Sequence, residues 1–298
     1  MPHSLLIASL AIIASEVLFS TMGAVIKLLA ADLPNTMLVF ARNLFGLVAL
    51  LPVLWHLRQT PLRTRVLHLH LLRAGAGVGA MYCFFYAIAH LALAEAVLLK
   101  LTAPLFIPII AMLWLREELT GSIIMAVLIG FGGVALILNP DGAGFFQSAA
   151  FIGLIGGALA GFAKVVVRRL AASEPSTRIV FYFAAFASSV SAAPVLWHWQ
   201  MPTPSQWALL ILLGILATCG QLLLTTGYRY APAARIGPLT YSSVIFAGIY
   251  GYVLWGEMPG LWDAIGGLLI IVAGLLALYG GKLRRPGFDA STPEVGPT

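Results

Sequence analysis

Charge is what this sequence has least of. Only 9% of its 298 residues are Asp, Glu, Lys or Arg, against about 25% in a soluble domain, which excludes a water-soluble globule. The two cysteines, Cys83 and Cys219, both fall in apolar runs and read as buried fillers, so no disulfide framework or zinc site is expected. The six histidines show no metal-ligand spacing: His56, His68 and His70 flank a turn with Arg58, Arg63 and Arg65, a solvated or headgroup-facing cluster. No apolar run holds two carboxylates or a Ser, His and Asp set, which argues against an intramembrane lipid-modifying enzyme. No catalytic residue, metal or cofactor is expected.

What the chain has in abundance is apolar length. Hydrophobic residues make up 60% of it, with a mean hydropathy of +0.97. Ten runs of spanning length follow one another, at residues 4–30, 35–57, 70–90, 93–115, 121–138, 147–170, 176–199, 205–230, 233–255 and 260–281. The first lacks a basic leader and carries Glu16, so it reads as a retained helix and not a signal peptide. A polar tail rich in Pro and Gly, residues 283–298, reads as disordered and cytoplasmic. Thirteen of the 17 cations, from Arg58 and Arg73 to Arg285, fall on one set of connections. By the positive-inside rule that side is cytoplasmic, and both termini lie there. The net charge of +6 therefore marks topology and no nucleic-acid partner. The seven tryptophans lie near run ends, as in an interfacial belt.

The runs form two sets of five. Trp114-Leu-Arg-Glu117 near the end of the fourth matches Leu254-Trp-Gly-Glu257 near the end of the ninth, 140 residues on. Leu29-Ala-Ala-Asp-Leu-Pro34 matches Leu170-Ala-Ala-Ser-Glu-Pro175 at 141. Five is odd, so the second copy enters the membrane from the opposite side. The expected fold is an all-α membrane protein of ten transmembrane helices in two inverted five-helix repeats, 1–140 and 147–282, an architecture that places transport sites near the midplane. With the Gly-rich stretches Ile129-Gly-Phe-Gly-Gly133 and Ile265-Gly-Gly267, these features resemble the EamA type of the drug/metabolite transporter superfamily, and within it the YddG-like aromatic amino-acid exporters. The resemblance implies a bacterial inner-membrane secondary transporter that exports amino acids and related small metabolites. Proton antiport of nucleosides, polyamines or drugs is the alternative.

The residues that carry such a function are those a bilayer disfavours. Glu16 sits near the middle of the first run and either exchanges protons or pairs to hold helices together. Lys27, Arg42, Lys100 and Lys164 are the in-span cations, four against that one clear anion, and a substrate carboxylate or freed backbone carbonyls would answer them. Lys164, close to a run end, reads as snorkelling to the cytoplasmic interface. Pro104 and Pro108 break the fourth run and Pro238 the ninth, giving unequal bends on which helices rock. Tyr82, Phe85 and Tyr86 share one helix face, as do Gln221 and Thr225, and Tyr241, Ser242 and Ser243 follow in the ninth run; these complete the expected cavity lining. Glycines at four-residue spacing, Gly153, Gly157 and Gly161 with Gly75 and Gly79, read as packing surfaces. Glu117 reads as a structural end-marker. The expected partners are a small-molecule substrate and the lipid bilayer; oligomeric state is open, and a monomer suffices.

Overall fold

A computed structural model describes residues 2–56, 63–115, 121–138, 148–170, 173–174, 176–230 and 237–280. The 283–298 tail, Glu117 and the side chains of Thr225 and Pro238 lie outside the described residues. The chain is helical throughout them: α1 (Pro2–Leu29), α2 (Asn35–His56), α3 (Leu67–His90), α4 (Leu93–Lys100), α5 (Ala103–Leu115), α6 (Gly121–Leu138), α7 (Ser148–Leu170), α8 (Ser176–Val195), α9 (Pro204–Tyr230), a 3-10 turn (Gly237–Tyr241), α10 (Ser242–Trp255) and α11 (Leu261–Gly280). Among the described residues, seven apolar helical runs, with α4 and α5 counted as one, are long enough to cross a membrane, and three shorter apolar helices accompany them. Polarity is inside out. Leu10, Leu113, Leu128, Ile245 and Leu268 are exposed while Glu16, Ser20, Asn43, Thr102 and Ser191 are buried, as suits a bundle solvated by hydrocarbon. The protein is a multi-pass membrane protein.

Helix packing follows one correspondence. α1 lies on α9 and α7 on α3, while α2 meets α9 and α8 meets α3. Exchanging α1, α2 and α3 with α7, α8 and α9 maps this set of neighbours onto itself, and α2–α8 and α6–α11 pair across it.

The fourth run breaks where the prolines do not stand. α4 ends at Lys100, Leu101 and Thr102 form a turn, and α5 starts at Ala103. Pro104 therefore sits in the first turn of α5, where its missing N–H costs no helical bond, and Pro108 is carried inside that helix. The Thr102 hydroxyl donates to the Leu99 carbonyl at 2.6 Å and satisfies the break. The second copy does the same without prolines at the matching positions: Ser242 Oγ donates to the Leu239 carbonyl at 2.7 Å, both residues 140 beyond their counterparts. The breaks share a register, and the repeated hydroxyl marks it.

Close approach to this break is what the α7 glycines provide. A Cβ at Gly157 would stand 2.8 Å from the Leu99 carbonyl oxygen, one at Gly161 2.9 Å from the Ala103 oxygen, and one at Gly153 2.8 Å from a Leu99 methyl. Gly79 packs on Leu159, whereas Gly75, expected on a packing surface, faces open space.

Among the described residues, the apolar core is continuous at one end of the bundle. Where α1 finishes, Val25, Ile26 and Leu29 join Leu38 of α2, Ile88 of α3, Leu93 of α4 and Leu213 of α9 in one cluster. Toward the other end the core divides into two. Ala8 and Ile12 of α1 pack with Leu224 and Leu239, and separately Leu69 of α3 packs with Val166 and Leu170 of α7 and Ile179 of α8. Among the described residues the buried apolar side chains thus form one cluster at the first end and two at the other.

At the parted end, the turn between α7 and α8 is held by Glu174, whose carboxylate accepts from Thr64 Oγ1 at 2.6 Å and from Arg178 at 2.5 Å. Burial pushes this carboxyl up, but the hydrogen bonds from Thr64 and Arg178 and the charges of Arg178 and His70 outweigh it and hold it below its ordinary value. A depressed carboxyl stabilises the fold above its unfolded-state pKa, about 4.3 for glutamate, and loses that contribution as pH falls through its folded value. Melting profiles should show it: Glu174→Gln costs about 1–3 kcal/mol at neutral pH and less at low pH, where the wild type has lost the same bonds. A deficit that does not shrink on acidification would refute this assignment.

Candidate functional site

Five ionisable side chains from five helices lie within electrostatic range of one or more of the others: Glu16 (α1), Arg42 (α2), Arg73 (α3), Lys100 (α4) and Lys164 (α7). Glu16 is 6% exposed and within electrostatic range of Lys100 and Lys164. Lys100 also senses Arg42, Arg73 senses Arg42, and Lys164 senses Lys100, Glu16 and Arg73. None of the five forms a salt bridge; the ion pairs among the described residues are Lys27–Glu257 and Arg178–Glu174. Aromatic faces take up part of the cost. Lys100 Nζ lies 5.0 Å from the Phe84 ring centre and 5.4 Å from that of Phe19, and the Arg73 guanidinium stands 4.1 Å over Phe183. Arg42 gives one hydrogen bond to Asn43 Oδ1 at 2.9 Å, and Asn43 in turn reaches Ser191 of α8.

Lys100 owes its place to the break. As the last residue of α4 it sits where backbone carbonyls end a helix, a favourable position for a cation. One member is a correction to the sequence reading. Arg73, expected among the loop cations, lies inside α3 with its Nε buried and without a hydrogen-bond partner. Lys164, expected to snorkel, is exposed, and it lies within electrostatic range of residues of α1, α3 and α4. Run position fixes depth along a helix, but packing decides its face, so neither assignment was available from spacing.

The remaining expected site residues are dispersed. Tyr82 is half-buried, its hydroxyl buried without a partner and its carbonyl bound by Asn35. Phe85 is 2% exposed inside the main apolar cluster. Tyr86 stacks on His90 at the end of α3 with ring centres 4.1 Å apart. Gln221 is exposed on α9. Tyr241 is buried with its hydroxyl unpartnered, and a methyl on Gly274 of α11 would overlap that oxygen. The Ser242 and Ser243 hydroxyls are spent on the Leu239 and Thr240 carbonyls. Pro238 lies in the 3-10 turn.

The closed end carries a polar seal that spacing did not reveal. Lys27 of α1 pairs with Glu257 beyond α10, donates to the Leu91 carbonyl at 2.6 Å and lies over Trp255. The second Glu257 oxygen accepts from the Leu93 N–H at 2.8 Å, an unpaired donor at the start of α4. One carboxylate thereby ties α1, the α3–α4 turn and α10. Beside it, α4, α10 and α11 enclose a groove of about 390 Å³ with Glu95 and Asp263 in its wall.

A helical bundle with polar groups inside, two matching helix breaks and a buried charge cluster suits a path through a membrane, and known proteins agree. The sequence matches the EamA-like transporter family twice, over residues 6–139 and 147–279. The chain belongs to that family. It is 32% identical to the pseudopaline exporter of Pseudomonas aeruginosa, over 84% of this chain and 88% of that one. It is 28% identical to a riboflavin transporter of Vibrio cholerae, over 76% and 77%, and 24% identical to an S-adenosylmethionine uptake transporter of Rickettsia bellii, over 78% and 80%. A solved crystal structure shares the fold with a TM-score of 0.63 at 20% identity, covering 91% of this chain and 96% of that one. This EamA-like protein is a small-molecule transporter and not an enzyme.

Proposed function

We propose that the protein is a secondary transporter that exports small metabolites, amino acids among them, across the bacterial inner membrane by alternating access. Two inverted five-helix halves cross the membrane ten times in this reading, with both termini cytoplasmic. The carrying observation is the asymmetry of the core: one cluster closes the end where α1 finishes, and two separate clusters leave the end bearing the N-terminus parted. With that end cytoplasmic, the structure is an inward-open state in which a substrate approaches past Lys164 and Arg73 toward Lys100, Arg42 and Glu16. The Leu101–Thr102 and Tyr241–Ser242 breaks are the hinges, and the Lys27–Glu257 seal is the contact released on opening outward. Glu16, a carboxylate among cations, couples transport to protons.

Flux into and out of proteoliposomes tests this. Labelled amino acids should move faster under an imposed pH gradient, and Glu16→Gln should remove the gradient dependence. Lys100→Gln should lower flux by roughly tenfold or more while the protein still folds. Unchanged flux in both variants would sink the site assignment, and gradient-independent wild-type flux would leave a facilitator.

A further inference from the structure

The basic cluster is unusual in its arithmetic. Arg42, Arg73, Lys100 and Lys164 face a single carboxylate, Glu16, and no ion pair joins any of them. Guanidinium groups stay charged at any physiological pH, and like charges held together away from bulk water repel. A fold tolerates this where a ligand supplies the missing anions. A single carboxylate, as on an ordinary amino acid, arrives with an ammonium group and adds no net negative charge. Such a ligand leaves the excess where it was.

We infer that the transported substrate carries at least two carboxylates and a net negative charge. The inference rests on the reading of this cluster as the transport site. Each arginine has donors to spend: Arg73 Nε is unpartnered, and Arg42 makes one hydrogen bond, to Asn43 on its own helix. A guanidinium edge matches a carboxylate through two parallel hydrogen bonds, so two arginines in electrostatic contact suit a substrate with two carboxylates. Lys100, held at a helix end between Phe84 and Phe19, neutralises the second charge at depth, and Lys164 stands at the open side as the first cation met.

The test compares three ligands on the full chain in detergent at low salt: N-(carboxymethyl)phenylalanine, phenylalanine and phenylethylamine, which share a benzyl group and differ in charge. The dicarboxylate should raise Tm, the zwitterion should do so weakly and the amine not at all. Arg42→Gln and Arg73→Gln should each weaken its binding about tenfold to a hundredfold, while Arg65→Gln, an exposed cation outside the cluster, should not. The ligand series on the wild type needs no variant to fold. Equal stabilisation by phenylalanine, or a dicarboxylate effect that survives both arginine substitutions in folded protein, would overturn the inference. Counterflow of the dicarboxylate in proteoliposomes is scored separately: selective binding without counterflow supports the substrate class and defeats the transport reading. Flux of phenylalanine alone does the reverse.

Discussion

Glu257→Ala should cost about 3 kcal/mol, because it strands two partners in a poorly solvated place. The Lys27 and Glu257 side chains are 13% and 21% exposed, and the same carboxylate accepts the Leu93 N–H. Removing it leaves an ammonium without its counter-charge and a helix-start donor without its acceptor. For a chain of this length the loss corresponds to a Tm lower by about 5–10 °C. The double variant Lys27→Met/Glu257→Met should recover much of that, since an ion pair replaced by apolar groups leaves no charge unpaired. Strict additivity of the two single substitutions would show that the pair is not coupled. A conformational readout accompanies the thermal one. Ile88 is fully buried in the cluster of the closed end. With Cys83 and Cys219 replaced by Ala, a cysteine at position 88 should resist a membrane-impermeant thiol reagent added outside, and should become reactive once Glu257→Ala weakens the seal.

The second large effect lies at the helix break. Gly157→Leu would drive a side chain into the Leu99 carbonyl and the Thr102 hydroxyl, and the first of these is backbone that cannot rotate away. Overpacking a filled interior costs about 1–3 kcal/mol and more where backbone must move. Here the movement separates α7 from the α4–α5 break and dislodges Lys100 and the Thr102 hydrogen bond with it. The variant should express poorly or elute as aggregate, Gly157→Ala should be intermediate, and Gly75→Leu should behave as wild type because nothing lies within 4 Å of it. Size-exclusion profiles and melting curves of the three decide the matter. A monodisperse Gly157→Leu with unchanged Tm would mean that the break does not depend on this contact.

Much of the architecture is readable along the chain because hydrocarbon imposes a long, local signal: about 20 apolar residues per crossing, interrupted by polar turns. The repeat is readable for the same reason, since Trp114-Leu-Arg-Glu117 and Leu254-Trp-Gly-Glu257 are compared without any coordinates. The break falls just upstream of Pro104, which has no N–H to bond the Lys100 carbonyl that ends α4. Pro104 fits the first turn of a helix as well as it ends one, and the repeated hydroxyls Thr102 and Ser242 are the better marker. Lys100 and Glu16 were found by depth alone, because depth is a property of sequence position and a charge there is costly wherever it points. Tyr82, Phe85 and Tyr86 share a helical periodicity, yet periodicity does not say whether their face meets a cavity or a core. Phe85 meets core.

The sequence by itself determined that the chain crosses a membrane many times, that it is duplicated, and that several ionisable groups are placed where hydrocarbon penalises them. Hydropathy and self-similarity are local or pairwise within the text of the chain, so they need no fold. Only the tertiary structure decided which charges meet. Arg73 and Lys164 join Glu16, Arg42 and Lys100 because α3 and α7 pack with those faces inward. Lys27 and Glu257 meet across 230 residues of chain because α1 lies against α10. Where the buried apolar side chains gather into one cluster or several is likewise a property of how helices lean on one another, and packing is settled between helices, not along them.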